Sequence, residues 1–347
     1  MKKKLSILFA VFAIIFCLAA SATFFPDIIV TSPDGIWTDT RAYTNLSTAL
    51  TAIGANERDV YIVREETVTT LVIPANIRLH FLKSGAIANS NTLTINTRNI
   101  HADHQIFTGA GAVNFASGSE VRTRWFEDFE TAITQTSNDT VTLTVDTADT
   151  LSNSAAVGDN VLLKWNSLNL ITIAGGQTLS NIGDISAPDI RLFVVSGSIA
   201  FKTSSPLVAV RACWLGSTLA TLDIADNAAY AAGKPLVITP GAWVIDSDVT
   251  LASNLKVLQG VDLQVATLTT LTINGTLDIG LHRIFSCIGI GKVVLPVTAI
   301  AYPQWWGTNV TASVNAALAS GAGVVDLGSD TYVAATTVLW DISKCAM

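Results

Sequence analysis

The chain has 347 residues, half of them hydrophobic and only 14% charged, and its 27 acidic and 20 basic residues give a net charge of −7. A chain of this charge lacks the basic surface that attracts nucleic acid or anionic membranes. Its four scattered cysteines form neither a disulfide framework nor a C-x-x-C metal motif. The composition therefore predicts a large fold that apolar burial and backbone hydrogen bonds hold together, without a cofactor or a metal.

The first 22 residues have the three parts of a secretory signal peptide. Residues 2–4 are lysines, residues 5–19 form an almost unbroken apolar run too short to span a bilayer, and residues 20–22 are small. We predict cleavage after Ala22 and a secreted or cell-surface protein that is not membrane-bound after cleavage. The peptide carries three lysines and no acidic residue, so the mature chain would have a net charge of −10.

Short β-branched runs predict strands along the rest of the chain. Residues 60–63, 141–145 and 236–239 are such runs, and each lies near Gly, Pro, Asn or Asp residues that favour turns. Only residues 46–53 and 310–318 have a convincing helical pattern. The chain is therefore expected to be all-β, with short capping helices.

The sequence repeats itself with a period of about 90 residues. Tryptophans 37, 125, 214 and 305 are 88, 89 and 91 residues apart. Three further landmarks recur between them in phase: an Asn before an apolar strand (76, 160, 254), a Thr-Leu pair (92, 178, 270) and a Phe (107, 193, 285). These landmarks predict repeat units at 23–125, 126–214 and 215–306. Residues 307–347 would begin a fourth unit, which is incomplete because the protein ends there or, as we favour, because the sequence is a fragment.

A solenoid explains many short strands that lack crossover helices between them. Parallel strands usually need such crossovers, unless each strand pairs with its equivalent one coil further on. At roughly 20–25 residues per coil, one unit would make about four coils. Tandem antiparallel sandwiches are the main rival, but they predict recurring Asn-Gly hairpins, and only Asn274-Gly275 is present. We predict a right-handed parallel β-helix.

The segment Tyr302-Pro303-Gln304-Trp305-Trp306-Gly307, followed by a short helix and a Gly-rich turn, resembles the opening of pectate-lyase-superfamily β-helix proteins, including phage tailspike-like proteins. The resemblance is strongest over residues 270–340. It implies a right-handed parallel β-helix and a polysaccharide ligand. For lyases it also implies carboxylates that bind Ca²⁺ with an Arg or Lys base, and for hydrolases two or three close Asp residues.

Polar clusters that could support catalysis or bind metal are few. Asp246 and Asp248 would share a face if they lay on one strand, but a solvated turn is the better interpretation. The run His101-Ala102-Asp103-His104 looks like a metal cluster, yet His104 is in phase with His282, which has no such neighbours. We therefore assign no catalytic residue and no metal ligand.

Aromatic side chains are the remaining candidates for ligand contact. The periodic placement of Trp125, Trp214 and Trp305 at unit junctions favours packing. We expect exposed rings, able to stack on sugars, at the other tryptophans: Trp165, Trp243, Trp306 and Trp340.

Two functions remain open. The first is a secreted or cell-surface repeat scaffold that binds glycans and has no catalysis in residues 23–347. The alternative is the N-terminal part of a polysaccharide lyase or glycoside hydrolase whose catalytic part lies beyond Met347. An open solenoid end would also favour association into a homo-oligomer.

Overall fold

A computed structural model describes residues 37–307 and 310–327 as a chain of short strands with a few short helices. This confirms the predicted all-β character. The predicted signal peptide, Trp340 and most of the predicted fourth unit lie outside the described residues. None of the described helices is long and apolar enough to span a membrane.

Because strands that share a sheet are grouped together, the second, third and fourth repeats begin at β10, β20 and β30, a few residues before Trp125, Trp214 and Trp305. The first repeat comprises nine strands and helix α1 (Leu46–Ile53). Its strands are β1 (Trp37–Asp39), β2 (Arg58–Ile62), β3 (Glu65–Val68), β4 (Leu71–Ile73), β5 (Ile77–Phe81), β6 (Ala86–Asn89), β7 (Thr92–Ile95), β8 (Ile100–His101) and β9 (Ala112–Phe115).

The second repeat comprises ten strands and helix α2 (Phe129–Thr136). Its strands are β10 (Ser119–Arg122), β11 (Val141–Val145), β12 (Asp149–Leu151), β13 (Ala155–Ala156), β14 (Val161–Trp165), β15 (Ile171–Ile173), β16 (Thr178–Ile182), β17 (Asp184–Ser186), β18 (Phe193–Val195) and β19 (Ser198–Phe201).

The third repeat also has ten strands, together with helix α3 (Leu219–Ala231). Its strands are β20 (Val210–Arg211), β21 (Leu236–Ile238), β22 (Gly241–Ile245), β23 (Val249–Leu251), β24 (Leu255–Val257), β25 (Val261–Val265), β26 (Thr270–Ile273), β27 (Leu277–Ile279), β28 (Phe285–Cys287) and β29 (Lys292–Val294). The described part of the fourth unit contains β30 (Ile300–Ala301), α4 (Val310–Ala319) and β31 (Val324–Val325).

Each repeat distributes its strands over three sheets, and every strand pair among the described residues is parallel. The first sheets have the orders β1-β2-β5-β8, β10-β11-β14-β17 and β20-β21-β24-β27. The second sheets are β3-β6, β12-β15-β18 and β22-β25-β28, and the third sheets are β4-β7-β9, β13-β16-β19 and β23-β26-β29. The chain enters the three sheets in turn, and a strand pairs with one roughly 20 residues further along, a separation typical of short repeats.

The sequence landmarks occupy equivalent places in these sheets. Each landmark Asn directly precedes the third strand of a first sheet, and each Thr-Leu pair opens the middle strand of a third sheet. Phe193 and Phe285 open the last strands of the second sheets, and Phe107 forms the corresponding bridge with Ile87. Asn274-Gly275 is not a hairpin, since it connects β26 and β27, which belong to different sheets.

Three of the four landmark tryptophans lie in short 3₁₀ helices at the repeat junctions, at Thr123–Trp125, Ala212–Trp214 and Pro303–Trp306. The rings of these three tryptophans are buried. Their backbone carbonyl oxygens accept hydrogen bonds from the backbone N–H groups of Ile106, Leu192 and Ile284, respectively. Trp37 differs, because it lies in β1, ahead of the first 3₁₀ helix at Thr40–Ala42. The interpretation of Trp37 as equivalent to the other three was therefore wrong.

The helices cover backbone groups that a further strand would otherwise pair. Gln135 Oε1 near the end of α2 accepts a hydrogen bond from Val113 N in β9 at 2.8 Å, and Asp139 Oδ2 accepts one from Phe115 N at 2.9 Å. In α3, the buried Asp226 accepts from Ala252 N at 2.7 Å and Ser253 N at 3.0 Å. Because buried N–H groups need partners, these side chains let a helix cover the sheet backbone in the second and third repeats.

Helices α2 and α3 were not predicted from the sequence. Asp128 caps the N-terminus of α2 by accepting a hydrogen bond from Thr131 N at 2.6 Å. Thr218 caps α3 in the same way, by accepting a hydrogen bond from Thr221 N at 3.3 Å. Both capping signals were present in the sequence. The three threonines of α2 lower its helix propensity, whereas α3 contains five alanines and could have been predicted from its sequence.

Candidate functional site

A column of outward-facing residues runs along the first sheets, one residue for each strand. The residues on either side of each member are buried or half-buried and point inward, which places the column on the outer face. We call it the outer column, and in-register pairing defines its members: Asp39, Tyr61, His80 and His101 in the first repeat; Arg122, Thr144, Lys164 and Ser186 in the second; and Arg211, Val237, Lys256 and Asp278 in the third.

The column keeps the same phase across the repeat junctions. Arg122, Arg211 and Tyr302 each occupy the N-cap of a junction 3₁₀ helix, three residues before its buried Trp. Tyr302 therefore continues the outer column into the fourth unit. This fixed offset from the junction Trp is the sequence signal that could have identified the column.

A shallow cleft opens on this face at each junction, between the last strand of one first sheet and the first strand of the next. The first cleft, about 390 Å³, includes His101, Asp103 and Arg122. The second, about 590 Å³, includes Asp184, Arg211, Trp214 and Lys256, and the third, about 360 Å³, includes Asp278, Tyr302 and Trp305. One cleft thus recurs at the same place in every repeat.

In the second and third repeats the outer column alternates long cations with small residues. Thr144 and Val237 are buried on the strands between the cations. Each of the four cations lies within 4 Å of a carboxylate or in direct contact with one: Arg122–Asp146 at 3.9 Å, Lys164–Glu120 at 3.5 Å, Lys256–Asp278 at 3.7 Å, and Arg211–Asp189.

In the first repeat three of the four outer-column residues, those after Asp39, form a stack of rings. The centroids of Tyr61 and His80 are 4.7 Å apart, those of His80 and His101 are also 4.7 Å apart, and Trp37 meets Tyr61 edge-on at 5.9 Å. Such packing holds the rings in a fixed orientation.

Asp59 lies two residues before Tyr61 on β2 and contacts the stack through His80. Its carboxylate accepts a hydrogen bond from Arg78 Nε at 2.9 Å and lies 2.8 Å from His80 Nε2. The hydrogen bond from Arg78 lowers the pKa of Asp59 to about 2, with a smaller contribution from His80 and against the opposing effect of desolvation. Asp59 is therefore ionised at neutral pH.

Two of the tryptophans that we expected to be exposed are buried. Trp165 and Trp243 are 2% and 3% exposed, and their indole N–H groups donate to the carbonyl oxygens of Asn169 and Thr239. Both lie at inward positions of strands with clear alternation, β14 and β22, so strand phase could have corrected the prediction. A sugar cannot stack on either ring as they stand. Trp306 is half-buried against Phe285, with ring centroids 5.0 Å apart, and Trp340 lies outside the described residues.

The other polar candidates have local partners. His104 lies 3.0 Å from Asp103 and 2.9 Å from the carbonyl oxygen of Gly85. Asp246 and Asp248 lie in the turn between β22 and β23 rather than on one strand, and Asp248 accepts a hydrogen bond from Thr270 N. Within residues 37–307 and 310–327, no three His, Cys, Asp or Glu side chains gather closely enough to hold a metal ion.

Comparisons with family models, with curated proteins and with solved structures gave no match for this chain. The resemblance to the pectate-lyase superfamily therefore stays a prediction from the sequence. The outer column and its clefts are the features on which a function can be argued.

Proposed function

We propose that the chain is a secreted or cell-surface scaffold, folded as a right-handed parallel β-helix, whose outer column binds a linear glycan. The order in which the chain enters the three sheets supports the β-helix, because each strand pairs with one roughly 20 residues ahead. Right-handed connections are strongly preferred between parallel strands, which supports the handedness.

The recurrence of the outer column carries the proposed binding function. The same outward position and the same junction cleft return in each repeat, on the same face of the first sheets. With neighbouring strands about 4.8 Å apart, the four strands of a first sheet place equivalent clefts roughly 20 Å apart. Sites that recur along one direction suit a polymer, whereas a small ligand requires only one deep pocket.

The chemistry of the outer column also suits sugars. In the first repeat, His101 ends the ring stack and borders the first cleft, and the charged and hydroxyl groups of the later repeats offer hydrogen-bond donors and acceptors. We propose no catalysis by these residues.

A glycan array probed with the secreted chain, followed by calorimetric titration of the best ligand, tests the proposal. Arg211→Ala and Tyr302→Ala should weaken binding, while Lys292→Ala, an exposed lysine on a third sheet, serves as the matched control. Equal binding by all three variants would contradict the assignment to the outer column. Release of reducing ends from a bound polysaccharide would contradict the non-catalytic scaffold.

A further inference from the structure

We infer that the glycan is uncharged and that the ion pairs of the second and third repeats recognise its hydroxyl groups. This inference rests on the proposed glycan-binding function and names the class of ligand. It starts from the observation that each cation of the outer column has a carboxylate beside it.

The lysine pairs remain open to solvent. The side chains of Lys164 and Glu120 are 34% and 51% exposed, and those of Lys256 and Asp278 are 54% and 76% exposed. Exposed pairs at 3.5 and 3.7 Å are weakly held, so both groups can turn toward a ligand at little cost. An ion pair then presents a donor and an acceptor side by side.

A sugar hydroxyl matches such a pair because it donates one hydrogen bond and accepts others. The carboxylate of an acidic sugar can only accept hydrogen bonds, and it would meet Glu120, Asp189 and Asp278 as like charges. The net charge of the whole chain, −7, adds to that repulsion. The pairing of charges therefore favours a neutral polymer over an acidic one.

The spacing of the cations fits an extended polymer. Arg122 and Lys164 lie two strands apart, as do Arg211 and Lys256, which corresponds to roughly 10 Å. Between them, the buried Thr144 and Val237 form a recessed floor. A chain of sugars laid along the column would thus meet a charged pair at every second strand.

The decisive variants remove the carboxylates and keep the lysines. For a neutral ligand, Glu120→Gln with Asp278→Asn should weaken binding roughly fivefold, because charged acceptors are lost. For an acidic ligand, the same double variant should strengthen binding, because two lysines become unpaired. Both carboxylates are exposed, so the substitutions should leave the fold intact, which circular dichroism checks.

Titrations of the secreted chain with soluble xyloglucan and galactomannan as neutral probes, and polygalacturonate and hyaluronan as acidic ones, give the readout. We expect binding to a neutral polymer that changes little between low and high salt, with Lys292→Met as the off-column control. Preferential, salt-sensitive binding of an acidic polymer, strengthened by the double variant, would overturn this inference and leave glycan binding intact. Binding of no polysaccharide would overturn the proposed function itself, and this inference with it.

Discussion

The first repeat and the two that follow use the same backbone positions for different chemistry. In the first repeat the outer column holds Tyr61, His80 and His101 as a ring stack, whereas the second and third repeats alternate cations with small residues. The inward positions of all three repeats remain predominantly apolar. The inward side chains and the strand pairing thus fix the fold, and the outward side chains are free to diverge toward binding.

The largest effect should come from the inward positions that the repeats share. Leu93 and Leu271 are fully buried and are the second residues of equivalent strands, β7 in the first repeat and β26 in the third. We expect Leu93→Ala and Leu271→Ala each to lower the free energy of unfolding by about 2–5 kcal/mol through cavity formation. Urea denaturation measures the loss, with the outward neighbours Thr94→Ala and Thr272→Ala as controls. A large loss at one leucine and none at the other would show that the repeats do not share a core.

The repeats also differ in how a carboxylate joins a helix to the sheets. In the third repeat, Asp226 of α3 accepts hydrogen bonds from two backbone N–H groups. In the first repeat, Glu66 of β3 accepts a hydrogen bond from Leu46 N of α1 at 3.1 Å. Asp226→Ala should cost about 1–3 kcal/mol, because it leaves buried donors unpaired. Asp226→Asn should cost less, since it retains one acceptor oxygen. Thermal melting of both variants checks this order, and an unchanged melting temperature for Asp226→Ala would contradict it.

Acid should act on the first repeat through Asp59. The folded pKa of Asp59, about 2, lies below its ordinary value of 3.8, so its stabilising contribution is complete above pH 3.8 and is lost as the pH falls toward 2. After allowance for solvent screening, we expect a contribution of about 1 kcal/mol. Comparing the unfolding free energies of the wild type and Asp59→Asn at pH 6 and pH 2.5 measures it. If the difference between the two proteins is the same at both pH values, Asp59 is not held by Arg78 and His80.

The smallest effect on stability should come from the ion pairs of the later repeats. Lys164→Met should change the free energy of unfolding by less than about 1 kcal/mol, since its pair with Glu120 is exposed. The same variant should weaken glycan binding measurably. A variant that lost stability but retained binding would reverse the roles that we assign to inward and outward residues.

Inward packing imposes a regular pattern on the sequence, and the sequence landmarks therefore fall at equivalent positions of the sheets. The landmark asparagines show this, because each directly precedes the third strand of a first sheet: Asn76, Asn160 and Asn254. The parallel arrangement followed from strand length and from the shortage of crossover helices.

Other features depend on contacts that a linear pattern does not reveal. Trp37 has a near-regular spacing but is not equivalent to Trp125. Only the position of the first 3₁₀ helix, which begins after Trp37, reveals this difference. The irregular spacing of Trp165 suggests an exposed ring, although the alternation of β14 places its side chain on the inward face. The outer column was missed because its members share a position and not a residue type.

Hydroxyl-radical footprinting of the chain, with and without its best polysaccharide ligand, shows whether the glycan binds along the outer column. We expect the ligand to protect Tyr61, His101 and Tyr302, which lie along the outer column, and to leave the exposed Tyr230 of α3 unprotected. Protection of Tyr230 without protection of the three column residues would show that the glycan binds elsewhere.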